Sequence, residues 1–123
     1  MNTKTALKIA KILDSEAIRE DARAIIDAYE EQEDFTVELN EGEYRIIHDD
    51  AIEDIFDSEI RQLADDCYEI KDIKKKMGGV GMYFTFDYDS FVKDCRTDGY
   101  GYHFSSYNGS EESVGPWNIF RVN

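Results

Sequence analysis

Phe35-Thr36-Val37-Glu38-Leu39-Asn40-Glu41-Gly42-Glu43-Tyr44-Arg45-Ile46 decides how the chain is read. Phe35, Val37 and Leu39 alternate with Thr36 and Glu38, the two-residue period of a strand buried on one face. Asn40-Glu41-Gly42 is a turn cluster, and Tyr44 and Ile46 resume the alternation, so the segment predicts a β-hairpin with an acidic outer face.

Upstream, Ala6, Leu7, Ala10 and Leu13 fall near helical spacing and predict a short helix over 5–13. Asp14-Ser15 offers an N-cap for a second helix from Glu16 to about Glu31, on which Ile18, Ala22, Ile25, Ile26 and Tyr29 form one apolar stripe. Downstream, Asp49 or Asp50 is expected to cap a helix carrying Ile52, Ile55, Phe56, Ile60 and Leu63. A further short helix is predicted over 68–77, ending in Lys74-Lys75-Lys76 and stopped by Gly78-Gly79, then a brief strand over 82–86. Asp87 is read as the N-cap of a helix with Phe91, Val92 and Cys95 that ends before Gly99. The aromatic run Tyr100 to Tyr107, the Asn108-Gly109 turn signal and the segment Trp117 to Val122 predict a C-terminal antiparallel hairpin, with 110–115 as extra loop. Helices alternate with hairpins rather than with single parallel strands, which makes the class α+β; the length suits one domain, 1–123.

Hydrophobic residues at 41% and aromatics at 13% supply enough apolar surface to offset ordering entropy. No apolar run reaches the length of a membrane span, and Met1-Asn2-Thr3-Lys4-Thr5 lacks the core of a signal peptide, so no membrane association and a cytoplasmic location are expected. Cys67 and Cys95 are read as reduced thiols.

The net charge of −14 disfavours direct contact with nucleic acid or anionic lipid. Residues 1–66 hold 20 acidic against 7 basic side chains, while residues 67–123 hold 8 against 7. Between Asp27 and Asp66 only Arg45 and Arg61 oppose 16 carboxylates, more self-repulsion than solubility requires. On a helix, Asp50, Glu53, Asp54 and Asp57 form a row with neighbours about 5–6 Å apart, comparable with the recurrence of phosphates along one DNA strand. The expected partner is a basic protein surface built for nucleic acid, engaged through Glu38, Glu41, Glu43, Asp49, Asp50, Glu53, Asp54 and Asp57. The competing reading of the same carboxylates is the solvated face of amphipathic elements.

Catalytic signals are sparse. His48 and His103 lie in no nucleophile or metal motif, and His48 is read as a capping or surface group beside a helix. The two cysteines stand in no CxxC or Cys/His pair, Asp87-Tyr88-Asp89 lacks the later ligands of a calcium loop, and Lys74-Lys75-Lys76 before Gly78-Gly79-Val80-Gly81 reverses the order of a phosphate loop. A non-enzyme without metal or cofactor is expected; a small metal-dependent hydrolase using scattered carboxylates is the enzymatic alternative.

Tyr44 to Ile52, Asp98 to Gly109 and Asn118 to Asn123 resemble small acidic proteins of bacteriophages and mobile elements, and the aromatic-acidic stretch within Tyr83 to Asp94 is similar to ArdA-type antirestriction proteins. The resemblance implies an anti-defence protein that mimics DNA to block a restriction or CRISPR nuclease. A second, non-enzymatic reading is a phage accessory or structural protein whose aromatic C-terminal hairpin makes the contact through Tyr100, Tyr102, Tyr107 and Trp117.

Overall fold

Asn2 opens the first helix: its side-chain oxygen accepts the Thr5 backbone N–H at 2.8 Å, and α1 runs over Thr3–Ile12 with Lys11 suiting the negative end of the helix dipole. The computed structural model describes residues 1–68, 87–97 and 99–123, the side chains at 67 and 68 excepted. Helix α2 spans Ile18–Tyr29, and its N-cap is Ala17 rather than Asp14 or Ser15. Ser15 serves the turn before the helix instead. Its hydroxyl accepts the Ala17 N–H at 3.1 Å and donates to the carboxylate of Asp21, and both side chains are buried. Ser15→Ala is therefore expected to leave a buried carboxylate without this donor and to cost about 1–3 kcal/mol in urea denaturation.

The first hairpin is as the alternation predicts. Strand β1 (Asp34–Leu39) pairs antiparallel with β2 (Gly42–His48), Phe35 opposite Ile46, Val37 opposite Tyr44 and Leu39 opposite Gly42. Gly42 lets the last residue come close: a Cβ there would lie within 2.5 Å of the Asn123 backbone oxygen. Phe35, Val37, Leu39, Tyr44 and Ile46 all bury against Ala6 and Ile9 of α1 and Ala22 and Ile25 of α2.

Strand β2 then pairs antiparallel with the last strand, Ile46 opposite Ile119 and His48 opposite Trp117. The C-terminal hairpin exists, but its first strand is not the aromatic run. With the remaining elements numbered in order, α3 covers Asp49–Tyr68, α4 Tyr88–Thr97 and α5 Gly101–Phe104; β3 covers Glu111–Val114 and β4 Trp117–Arg121. The sheet order is β1-β2-β4-β3. Val114 pairs with Trp117, so Gly115-Pro116 is the turn. Gly115 has φ +57°, the sign that a II′ turn demands at its first position, and Pro116 fixes the negative φ of the second. Asn108 instead makes a local turn, its Oδ1 accepting the Ser110 N–H at 3.0 Å.

The segment predicted as an aromatic strand is the one-turn helix α5. Gly101 lets the Gly109 carbonyl approach to within 2.6 Å of where a Cβ would sit. Phe104 reaches Phe120 with ring centroids 5.1 Å apart, and the guanidinium of Arg45 lies 4.8 Å from the Phe104 centroid. Ser105 Oγ donates to the Arg121 carbonyl at 2.7 Å and Ser106 Oγ to that of Val122 at 2.9 Å, which fastens this segment along β4.

These elements fall into two compact units, Met1–Ile52 with Tyr100–Asn123, and Glu53–Gly99. Within the second, Phe56, Ile60 and Ala64 recur every fourth residue along α3 and are buried, as is Val92 of α4. Asp87 caps α4 as predicted, accepting the Ser90 N–H at 3.0 Å and its hydroxyl at 2.8 Å. Those bonds, the backbone one foremost, lower the Asp87 pKa below its ordinary value. Because the folded pKa is the lower one, the cap stabilises fully above the unfolded value and fades as pH falls through the folded one. Wild type and Asp87→Asn should differ in thermal midpoint at neutral pH, and the difference should shrink only as the pH falls below the ordinary carboxylate range.

The predicted helix over 68–77 continues no further than Tyr68 among the described residues, where it is the end of α3. The rest of that helix, the lysine-glycine stretch and the strand over 82–86 lie outside the described residues.

Candidate acidic interface

The register of the first hairpin sets Glu38 directly opposite Glu43. Directly opposed residues of an antiparallel pair point to the same face, so the two carboxylates stand side by side, Glu38 exposed and Glu43 half-buried. Neither has an ion-pair partner among the described residues, because Arg45 is committed elsewhere: its Nε donates to Asp34 Oδ1 at 2.8 Å and its Nη2 to Oδ2 at 2.5 Å. Like charges opposed in a sheet destabilise it. Acidic residues also occupy strained backbone at the end of α2, where Glu30 (φ +43°) and Glu31 (φ +58°) are left-handed and glycine would be relaxed.

Glu41 differs from its neighbours. It lies in the hairpin turn, and its carboxylate oxygen Oε2 is buried with no hydrogen-bond donor among the described residues, so it is not displayed as Glu38 is. Its charge contributes to raising the pKa of the Tyr44 phenol; burial is the main cause, Arg121 opposes it, and Glu41 and Asp21 add to it.

At the start of α3 the cap is His48 rather than an aspartate. Its Nδ1 accepts the Asp50 N–H at 3.1 Å, and its ring stands edge-on to Trp117 with centroids 4.8 Å apart. Asp49 and Asp50 sit in the first turn, where the helix dipole favours negative charge. Asp49 Oδ1 accepts from Asn118 Nδ2 at 2.7 Å, while the side chain of Asp50 is 80% exposed. Along the same helix Glu53 and Asp54 are exposed. Asp57 is not a free carboxylate: Arg61 Nε donates to it at 2.7 Å, and Arg61 also pairs with Asp89. Those hydrogen bonds, the one to Asp57 first, raise the Arg61 pKa.

Glu33, His48 and Asp50 each offer a ligand atom, all within 4.8 Å of one another. The cap governs their chemistry. With Nδ1 accepting the Asp50 N–H, the neutral ring carries its proton on Nε2, so a metal ion would have to displace the helix cap to find a lone pair. The arrangement orders the β2–α3 junction, as the reading of His48 from sequence expects.

The aromatic candidates divide. Trp117 is 6% exposed, in edge contact with Tyr29 and Phe35, and is a core residue rather than an anchor for a partner. Tyr100 stacks on Phe104. Tyr102 and Tyr107 are 78% and 57% exposed, and Arg121 covers the Tyr107 ring at 4.1 Å.

Among the described residues no helix is long and apolar enough to cross a membrane. Glu30, Glu31 and Glu33 belong to the acidic run that the sequence shows beside the hairpin, whereas the left-handed backbone of Glu30 and Glu31 is visible only in the structure. Compared with family models, with curated proteins and with solved structures, the chain matches none of them.

Proposed function

We propose that this chain is an anti-defence inhibitor of phage or mobile-element origin that occupies a basic nucleic-acid site on a host restriction or CRISPR complex by presenting carboxylates in place of phosphates. The observation that carries this reading is the opposed pair Glu38 and Glu43, the first exposed and the second half-buried, with no cation paired to either among the described residues. A face kept only for solubility has no need of a charge arrangement that weakens its own hairpin. Glu53 and Asp54 on α3, with Asp50 one turn before, supply a second set of like-charged neighbours at helical spacing.

The mechanism is steric and electrostatic occupation of the site. The carboxylates accept charge-assisted hydrogen bonds from Lys and Arg that otherwise hold phosphates, and complementary fields speed encounter. No bond is made or broken, and no metal or cofactor enters. Affinity for a purified restriction or CRISPR complex should fall about ten-fold or more between roughly 50 and 200 mM salt. Affinity indifferent to salt would contradict the proposal.

The exposed rings of Tyr102 and Tyr107 favour a second reading, a non-enzymatic accessory protein bound through the segment after α4. Under that reading Tyr102→Ala with Tyr107→Ala abolishes binding and salt hardly matters.

A further inference from the structure

The helical pair α1 and α2 carries a surface of the opposite character. Thr3 and Leu7 of α1 and Arg19, Ala22, Arg23 and Ile26 of α2 line a cleft of about 400 Å³. Its volume lies in the range of small-molecule sites, and its apolar floor with a few polar groups at the rim is their usual composition. Arg19 and Arg23 are one turn apart and exposed. Glu16, Glu20 and Asp27 lie within a turn of them along the chain, yet neither guanidinium makes an ion pair among the described residues; both line the cleft instead. Helix α1 adds Lys4, Lys8 and Lys11, all exposed, and contains no acidic residue.

We infer that this cleft binds a small organic monoanion with an apolar body, a carboxylate whose chain lies over Leu7, Ala22 and Ile26 while its head is held by Arg19 and Arg23. Guanidinium groups fork to carboxylates with two parallel hydrogen bonds, so two arginines one turn apart can grip one head. The chain's charge of −14 selects against polyanions, which are repelled by the whole surface, and in favour of a ligand with one charge and much apolar area. The cleft lies within the first compact unit, and none of the carboxylates assigned to the acidic interface lines it.

The test is a titration of the full chain with sodium octanoate and, separately, 1-octanol, followed by backbone amide spectra. Octanoate should shift amides of residues 3–12 and 18–29 saturably, with 1-octanol at least about ten-fold weaker, since it lacks the charge. Arg19→Gln with Arg23→Gln should weaken octanoate about ten-fold or more with the thermal midpoint unchanged. Lys4→Gln with Lys8→Gln makes the same change in net charge and should stay within about two-fold of wild type. Equal affinity for octanoate and octanol, undiminished binding by the arginine variant, an equal loss in the lysine variant, or no shifts in these helices would each overturn the proposal.

Discussion

Trp117→Ala should lower stability by about 3–5 kcal/mol, the cost of truncating a large buried aromatic. The indole is the meeting point of α2, β1 and β2: Tyr29, Phe35 and His48 all stand edge-on to it, at centroid distances of 5.5, 5.9 and 4.8 Å. Truncation opens a cavity between helix and sheet and also frees the imidazole that caps α3. A domain of this size has only about 5–15 kcal/mol to lose, so the midpoint should fall by roughly 10 °C or more. Far-UV circular dichroism is the suitable probe, because the variant removes the chain's single tryptophan. A loss below about 1 kcal/mol would mean that the ring is not the core residue described here.

The second large effect concerns charge. Reversing Glu38, Glu43, Glu53 and Asp54 to lysine should reduce association with a basic nucleic-acid-binding partner by about 10–10³-fold, most of it through lost steering and lost charge-assisted contacts. The same variant should fold at least as stably as the parent. Lysines at both 38 and 43 would only exchange one repulsive pair for another, so the single change Glu43→Lys is the sharper probe of the hairpin. It turns the like-charged pair into an attractive one and should gain about 0.2–1 kcal/mol. On α3, lysine at 53 faces Asp57 and lysine at 54 faces Asp50, each four residues away, which also relieves repulsion. Asp50 is left in place because the helix dipole uses its charge. Greater stability with weaker binding is the signature of residues kept for function, and a solvated face shows no such opposition.

How far the sequence reached depended on the kind of signal. The first hairpin and both N-terminal helices were legible because Phe35 to Ile46 alternates strictly and Ala22 and Ile25 follow helical spacing. The C-terminal hairpin was displaced for a physical reason. Strand β3 is an edge strand with Glu111, Glu112 and Ser113 exposed, so it shows no apolar alternation, and the aromatic run upstream carried a stronger strand signal. Phe104 instead turns in over Phe120 from a single helical turn. Of the acidic residues, the exposure of Glu38, Glu53 and Asp54 could be read from pattern. That Glu43 faces Glu38 needed the register, and that Glu41 turns inward needed the turn geometry. The loss of Asp57 to Arg61 was legible in principle, since the two stand four residues apart on one helix.

DNA mimicry is decided by immobilising the chain and its four-lysine variant, passing bacterial lysate over both, and eluting with duplex DNA at constant salt. The parent should retain a DNA-binding defence complex, duplex DNA should release it, and the variant should retain none of it. Partners indifferent to duplex DNA, or retained equally by the variant, would contradict mimicry.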